Sequence, residues 1–555
     1  MKRVRTTQTV LSLAQRCLSG LLLLVVMVAA SWADATGVVA LREASQALAG
    51  ASLRQVPVIV EHIEAAGKES ALPLFEAMLA GNLYYQRADN RIVITRQTEG
   101  GDYAIRDAVT GESLGVVAKK SIRKVKVNNR LRSQLRATIA RLTLFSANVS
   151  WRKSAATNLL NNLSADNVAL LQEARAVESD AGVAELIDTA LALHTLKTST
   201  DRKIRLRALE VLDGSLQPTV RNQLLNLTEV DAQGQYREAD AVVRTRAARF
   251  LARIDGKIKF FGFLETLFFG LSLGSVLLLI AIGLAITFGV MGVINMAHGE
   301  LMMLGAYTTY VVQLLLPNHL EYSLLIAVPA AFLVSGSVGI LIERSVIRFL
   351  HGRPLETLLA TFGISLILQQ TVRSVFSPLN RQVATPEWMS GSLEINSIFS
   401  LTYNRLYIFL FALLLFCALQ LVLNHTSLGL NVRAVSQNRD MARAIGIRTD
   451  WVDALTFGLG SGIAGIAGVA LSQLTNVGPN LGQAYIIDSF MVVVFGGVGN
   501  LWGTLVGGLS LGVANKFLEP TTGAVLAKIL VLVFIVLFIQ KRPRGLFPQQ
   551  GRAAE

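Results

Sequence analysis

The sequence predicts an all-α polytopic membrane protein of about seven full spans plus a short apolar hairpin or span pair, preceded by an exported, mainly α domain with a small β insert. Three observations predict it. Of the 555 residues, 52% are hydrophobic and only 16% are charged, too apolar for an ordinary soluble protein. Nearly all long apolar runs lie beyond Phe260, whereas the stretch from about Leu41 to Lys259 is rich in Arg, Glu, Asp and Asn. The N-terminus has the form of an export signal.

Lys2, Arg3, Arg5 and Arg16 precede the apolar run from Leu21 to Ala30, and Ser31-Trp32-Ala33 offers small residues to a signal peptidase. Cleavage after Ala33 is expected, with an uncleaved anchor helix as the alternative; both export residue 34 onward. The expected organisation is a signal segment at 1–33, an exported domain at 34–258, a transmembrane domain at 259–548 and a cytoplasmic tail at 549–555. In the exported domain, Leu41, Ala44, Leu48 and Ala51 form one helical stripe and Leu72, Phe75, Ala77, Met78 and Leu79 another. Between Arg91 and Val127 the pattern changes to short apolar runs around Ile92, Tyr103 and Val116, with a turn at Thr110-Gly111, which predicts a β hairpin or meander. Further on, Ile204–Leu212 resembles Val243–Leu251 at an offset of 39 residues, near the period of two-helix solenoid repeats that dock other proteins. His62 with Glu64, and His194, lack zinc-site spacing and read as ordinary core or surface residues. Cys17 and Cys417 build neither a disulfide framework nor a metal site.

Spans are expected at 262–290, 299–316, 322–342, 355–376, 404–424, 451–473 and 523–540, with the short apolar pair at 485–499 and 502–517. Exporting residue 261 assigns a side to every loop. The loops then expected in the cytoplasm carry Arg344, Arg348 and Arg353, then Arg433, Arg439, Arg443 and Arg448, and finally Lys541, Arg542, Arg544 and Arg552; the tight 291–298 turn, with no Lys or Arg, is the exception. Those expected outside carry only Arg381, as the positive-inside rule requires. The formal charge of +14 is thus a matter of membrane topology, and no nucleic-acid-binding module accompanies it. The orientation points to a bacterial inner membrane, with membrane lipids as surroundings and the C-terminus in the cytoplasm.

Polar residues interrupt the apolar runs at Asn295, His298 and Glu300, and Gln369, Gln370 and Gln473 sit in or beside other spans. Such groups are costly in lipid unless they line a cavity or pair with one another, so they are candidate pathway residues as well as candidate interhelical bonds. No phosphate-binding G-x-x-x-x-G-K-[ST] loop occurs, and no span carries paired carboxylates or an arginine ladder. The chain is therefore expected to be no enzyme, to hold no cofactor, metal or catalytic residue, and to rely on an energising partner or on passive flow.

Gly270–Ser275, Phe288–Glu300 with Leu304–Tyr307, Asn438–Ile447, Ala454–Phe457, Phe495–Gly499 and Arg542–Phe547 together resemble the LivH-type permeases of branched-chain amino acid ABC transporters over essentially all of 262–548. With the exported extension, and with Tyr485–Phe490, Asn500–Gly503, Ala514–Pro520 and Phe538–Pro543, the chain looks like the extended permease subunit of urea ABC transporters. The resemblance implies a LivM-like second permease subunit, two cytoplasmic ATPase subunits that use the ATP, and an external solute-binding protein. It also implies a cytoplasmic coupling helix, which Asp440, Met441, Ala442, Arg443 and Gly446 match loosely, since Met441 departs from the acidic-Ala-Ala start and no Leu-Pro follows. Urea import through an ABC complex is the expected function. The alternatives are a branched-chain amino acid or short amide permease, a membrane receptor or scaffold, and a passive urea channel.

Overall fold

The computed structural model describes residues 38–97 and 102–548, so the expected signal segment at 1–33, with Cys17, and the tail from 549 lie outside the described residues. The chain divides into two compact units, one ending at Ile254 and the other beginning at Asp255.

The first unit opens with helical turns at 38–46, then α1 (Val56–Gly67) and α2 (Leu72–Ala80). A five-stranded antiparallel sheet follows, with β1 (Leu83–Gln86), β2 (Ile92–Gln97), β3 (Tyr103–Asp107), β4 (Ser113–Val117) and β5 (Ile122–Lys124) in the order β4-β3-β2-β1-β5. The expected runs around Ile92, Tyr103 and Val116 are β2, β3 and β4; the two flanking strands are additional. Leu41, Leu48, Val60, Phe75, Leu83 and Ile92 share one core with the first turns of α3 (Asn129–Leu144).

Helices α4 (Val149–Asn161), α5 (Ala165–Val177), α6 (Ala181–Thr198), α7 (Arg202–Leu212), α8 (Pro218–Thr228) and the start of α9 (Ala241–Met291) complete the unit. Three of their starts repeat one device. Asp180 accepts the backbone N–H of Val183 at 3.0 Å, Asp201 that of Lys203 at 2.7 Å and Asp240 that of Val242 at 2.9 Å, each cap stabilising its helix by about 1 kcal/mol. Asp201 and Asp240 each stand three residues before Ile204 and Val243, so the 39-residue self-similarity marks two helices capped in the same way. Two of the caps are braced from behind. Arg152 binds Glu178, which accepts the Asp180 N–H at 2.8 Å, and Arg205 binds Glu238, which accepts the Asp240 N–H at 3.0 Å. These arginine hydrogen bonds hold both glutamate carboxyls below the usual carboxylate range.

The second unit contains the remainder of α9, then α10 (His298–Leu315), α11 (Leu320–Ser345), α12 (Pro354–Phe376), a β6–β7 hairpin (Ser392–Glu394, Ser400–Thr402) and α13 (Tyr403–His425). The basic connection from 425 forms two short helices, α14 (Ser427–Gln437) and α15 (Arg439–Ala444), before α16 (Thr449–Ser472). The expected short apolar pair is the hairpin of α17 (Leu481–Gly496) and α18 (Leu501–Thr522), and α19 (Ala524–Lys541) follows. Six helices among the described residues are long and apolar enough to cross a membrane: α9, α11, α12, α13, α16 and α19. The expected span at 299–316 does form a helix, α10, but it is not one of the six. Its 18 residues begin with His298 and Glu300 and end near Gln313, which lowers its apolarity.

Helix α16 is the hub. Its apolar window is 89% buried, although it is not the most apolar helix, because glycines let its neighbours touch its backbone. A Cβ at Gly460 would meet Thr287 of α9, one at Gly468 the Met302 carbonyl of α10, and one at Gly465 the Ala331 carbonyl and Ser335 hydroxyl of α11 at 2.5 and 2.6 Å.

Contacts sort the helix ends into two sets. At one, Gly289 meets Gly499, Arg348 pairs with Asp450 and the Phe547 N–H bonds the Gly496 carbonyl. At the other, Gln313 bonds Ala384, Trp388 bonds Glu321 and Arg381 pairs in backbone with Val477. The expected cytoplasmic loops, with Arg344, Arg348, Arg433, Arg439 and Arg443, all fall at the first, basic end.

Gly465→Leu is expected to destabilise the second unit by about 1–3 kcal/mol or more through overpacking. Gly363→Leu, at a helical glycine with no atom within 4 Å of its Cβ position, is the matched control. Thermal inactivation in detergent checks the pair: a lower midpoint is expected for the first variant only.

Candidate functional site

The break between α9 and α10 builds a polar interior in the second unit. Helix α9 ends at the basic end, where Gly289 lies against Gly499. The next six residues then run back inward, because the His298 ring reaches the Ile280 carbonyl at 3.0 Å and lies beside Gly283, well within α9. Gly292, with φ of 69°, makes the reversal in a conformation that favours glycine. Irregular backbone at this depth is tolerated only where protein surrounds it. Here Thr361 of α12 supplies both partners, accepting from the Met296 N–H at 3.1 Å and donating to the Ile294 carbonyl at 3.4 Å. The Asn295 side chain accepts the Ala297 N–H at 3.0 Å.

Helix α10 therefore starts inside the bundle, and Glu300 sits in its first turn, where the helix dipole favours a carboxylate. Ser365, midway along α12, donates to Glu300 Oε1 at 3.1 Å, and Gln369 Nε2 donates to the same oxygen at 2.6 Å. All three are buried. Glu300 Oε2, Asn295 Nδ2, His298 Nδ1 and the Tyr307 hydroxyl, seven residues on from Glu300, have no hydrogen-bond partner among the described residues. The cluster can thus accept and donate further hydrogen bonds in an otherwise apolar interior.

Of the expected pathway residues, Glu300 and Gln369 are joined by a hydrogen bond, whereas the His298 ring turns to α9 and the Asn295 side chain bonds within its own turn. Gln370 is exposed on another side of α12, and Gln473 lies at the end of α16, donating to Ser472 and accepting from Asn404 at its backbone carbonyl. Thr361, Ser365 and Tyr307 were not singled out by sequence; the signal for the first two is the i, i+4, i+8 spacing of Thr361, Ser365 and Gln369 on one helix face.

At the basic end, α15 presents the other expected constellation. Asn438 caps it by accepting the Met441 N–H at 2.9 Å, and Gly446 ends the segment with φ of 91°. Ala442 is buried against Val432, Val435 and Val452, while Asp440, Met441 and Ile445 point outward, the last two 61% and 69% exposed. The helix is tied to α16 by charge. Arg439 pairs with the buried Asp453, Arg443 bonds Thr449 at 3.1 Å, and Asp450 lies between Arg443 and Arg348. Asp453 and Glu343, both buried at this end, and the Asp488–Lys528 pair at 2.8 Å between α17 and α19 also went unnoticed in sequence. Asp453 and Asp488 find their partners on other helices, which no local pattern marks, whereas Glu343 lies beside Arg344, its neighbour in sequence.

With this geometry in view, the comparisons with known proteins become specific. The profile of the branched-chain amino acid transport system permease component matches residues 266–539. The high-affinity branched-chain amino acid transport system permease protein LivH of Salmonella typhimurium is 32% identical over 299 residues, 52% of this chain and 96% of that protein. The chain belongs to the branched-chain amino acid transport permease family. BraD of Pseudomonas aeruginosa, named for the same kind of system, is 31% identical over 295 residues, 51% of this chain and 95% of BraD. The ribose import permease RbsC of Escherichia coli is 26% identical over 300 residues, 48% of this chain and 83% of RbsC. No solved structure matches the chain. As a member of this permease family the protein is a multi-pass membrane transport subunit, and the profile leaves the residues before 266 unmatched.

Glu300→Leu is expected to strip Gln369 and Ser365 of their shared acceptor, at about 1–3 kcal/mol for each buried donor left unmade. Glu300→Gln keeps an acceptor oxygen and is expected to retain most of the stability. Denaturation midpoints of the purified variants distinguish the two, and equal midpoints would show that the cluster holds nothing together.

Proposed function

We propose that this permease-family chain is a translocation subunit of an ABC importer for a branched-chain amino acid or a short amide. It would form the pathway with a LivM-like second permease subunit and be driven by two cytoplasmic ATPase subunits. The observation that carries this reading is the 32% identity to a LivH permease across 96% of that protein. In this reading the half-satisfied Glu300, with Gln369 beside it, and the buried Asn295 and His298 supply polar groups along the pathway. The exported first unit, with its repeated capped helices, serves as a docking surface for the external solute-binding protein.

Urea is the second reading. It is favoured by the extension before residue 266 and by the resemblance of Tyr485–Phe490 and Ala514–Pro520 to extended urea permeases. Labelled leucine and labelled urea, offered in parallel to cells with and without the gene and with an ATP-depleting control, separate the two. Loss of ATP-dependent leucine uptake alone supports the first reading, loss of urea uptake alone moves the assignment to the second, and unchanged uptake of both removes both.

Coupling to the ATPases is proposed to run through α15. Met441 and Ile445 are apolar, exposed and four residues apart, so they form one ridge able to enter a groove of a partner. ATP-driven movement of that ridge would pass through the Arg439–Asp453 pair into α16, the hub of the unit. Ile445→Asp places a charge on the ridge without touching the core. It is expected to lower ATP-dependent uptake at least about tenfold, the effect of 1.4 kcal/mol at the interface, while the permease still reaches the membrane. Normal uptake by this variant in an assembled complex would remove α15 from the coupling role.

A further inference from the structure

We propose that a cleft at the basic end of the second unit binds the phosphate headgroup of an anionic phospholipid from the adjoining leaflet. The cleft, of about 240 Å³, lies between the ends of α9 and α13, the face of α14 and the start of α18. Its chemistry is one-sided. Gln420, Asn424, Arg433 and Trp502 contribute N–H donors, and none of its lining residues is acidic. The side chains of Gln420, Asn424 and Trp502 make no hydrogen bond among the described residues, and Arg433 uses only one Nη1–H, on the Leu423 carbonyl. The amides can also accept, but a guanidinium and an indole N–H can only donate, so the set suits an anion. Asn500 caps α18 by accepting the Gly503 N–H at 3.2 Å, and the positive end of that 22-residue helix opens on the same cleft.

The remaining walls favour a lipid over a soluble phosphate. Ile286 and Leu423 belong to the ends of two spanning helices and give the cleft an apolar side, which a free phosphate has no use for and a glycerol-linked acyl chain does. Trp502 is 54% exposed and held edge-on against Phe416 at 5.2 Å, the placement typical of an aromatic ring at the headgroup level. A basic pocket between helix ends on the side richest in arginine is the arrangement that recognises anionic headgroups.

The test uses the full-length chain in bilayer discs of equal phosphatidylglycerol and phosphatidylcholine, with retained lipid measured by mass spectrometry after extraction. Wild type is expected to be enriched in phosphatidylglycerol, and Arg433→Gln to reduce that enrichment about fivefold, the effect of one cationic contact. Because Arg433 also holds the Leu423 carbonyl, Gln420→Leu serves as the second variant; its polar group has no fold contact to lose, and the same direction of change is expected. Enrichment unaffected by both variants overturns the proposal. So does release of the lipid by millimolar inorganic phosphate, which would assign the cleft to a soluble anion, or loss of enrichment once ATPase subunits are bound, which would assign it to a protein partner.

Discussion

Backbone-to-backbone approach around α16 is the constraint on which the rest of the second unit depends. Lipid gives no hydrophobic drive for helices to associate, so close van der Waals contact must supply it. Gly460, Gly465 and Gly468 let α9, α10 and α11 approach the same helix within a few turns of one another. With side chains at those positions the neighbours would stand off, and the inward-running segment after Gly292 would lose the protein wall that shields its peptide groups.

That shielding explains why polar residues gather where they do. A chain that re-enters the bundle brings unpaired N–H and C=O groups with it, and α12 answers them with Thr361; one and two helical turns further on, Ser365 and Gln369 answer the Glu300 side chain. The carboxylate of Glu300 is the acceptor at the centre. At the basic end the same logic recurs in ionic form: the short helix α15 has too few residues to be stable alone, so Asn438 caps it and Arg439 and Arg443 fix it to the start of α16.

Much of this was legible in the sequence, and the rest was not for identifiable reasons. Apolar runs marked the helices of the second unit because a span must be apolar along its length. The β2, β3 and β4 runs were visible through β-branched and aromatic residues, whereas β5 is a three-residue edge strand among lysines and leaves no pattern. The polar site was half legible: Asn295, His298 and Glu300 stand out because they interrupt an apolar run, but which glutamine faced Glu300 depended on the rotation of α12, and Gln369 and Gln370 differ there by one residue, about 100°. Ion pairs such as Arg439–Asp453 and Lys528–Asp488 join different helices, so neither partner announces the other.

The distance between Glu300 and its partner also has a consequence for how the protein is made. Gln369 follows it by 69 residues, and at a synthesis rate of about 5–20 residues per second this is an interval of roughly 3–14 s. During that interval α10 has left the ribosome without α12, too polar to settle in lipid on its own. The hydrogen bonds that satisfy the Glu300 carboxylate are therefore made only after α12 has joined α9, α10 and α11, so this part of the bundle closes late relative to the synthesis of its first helices.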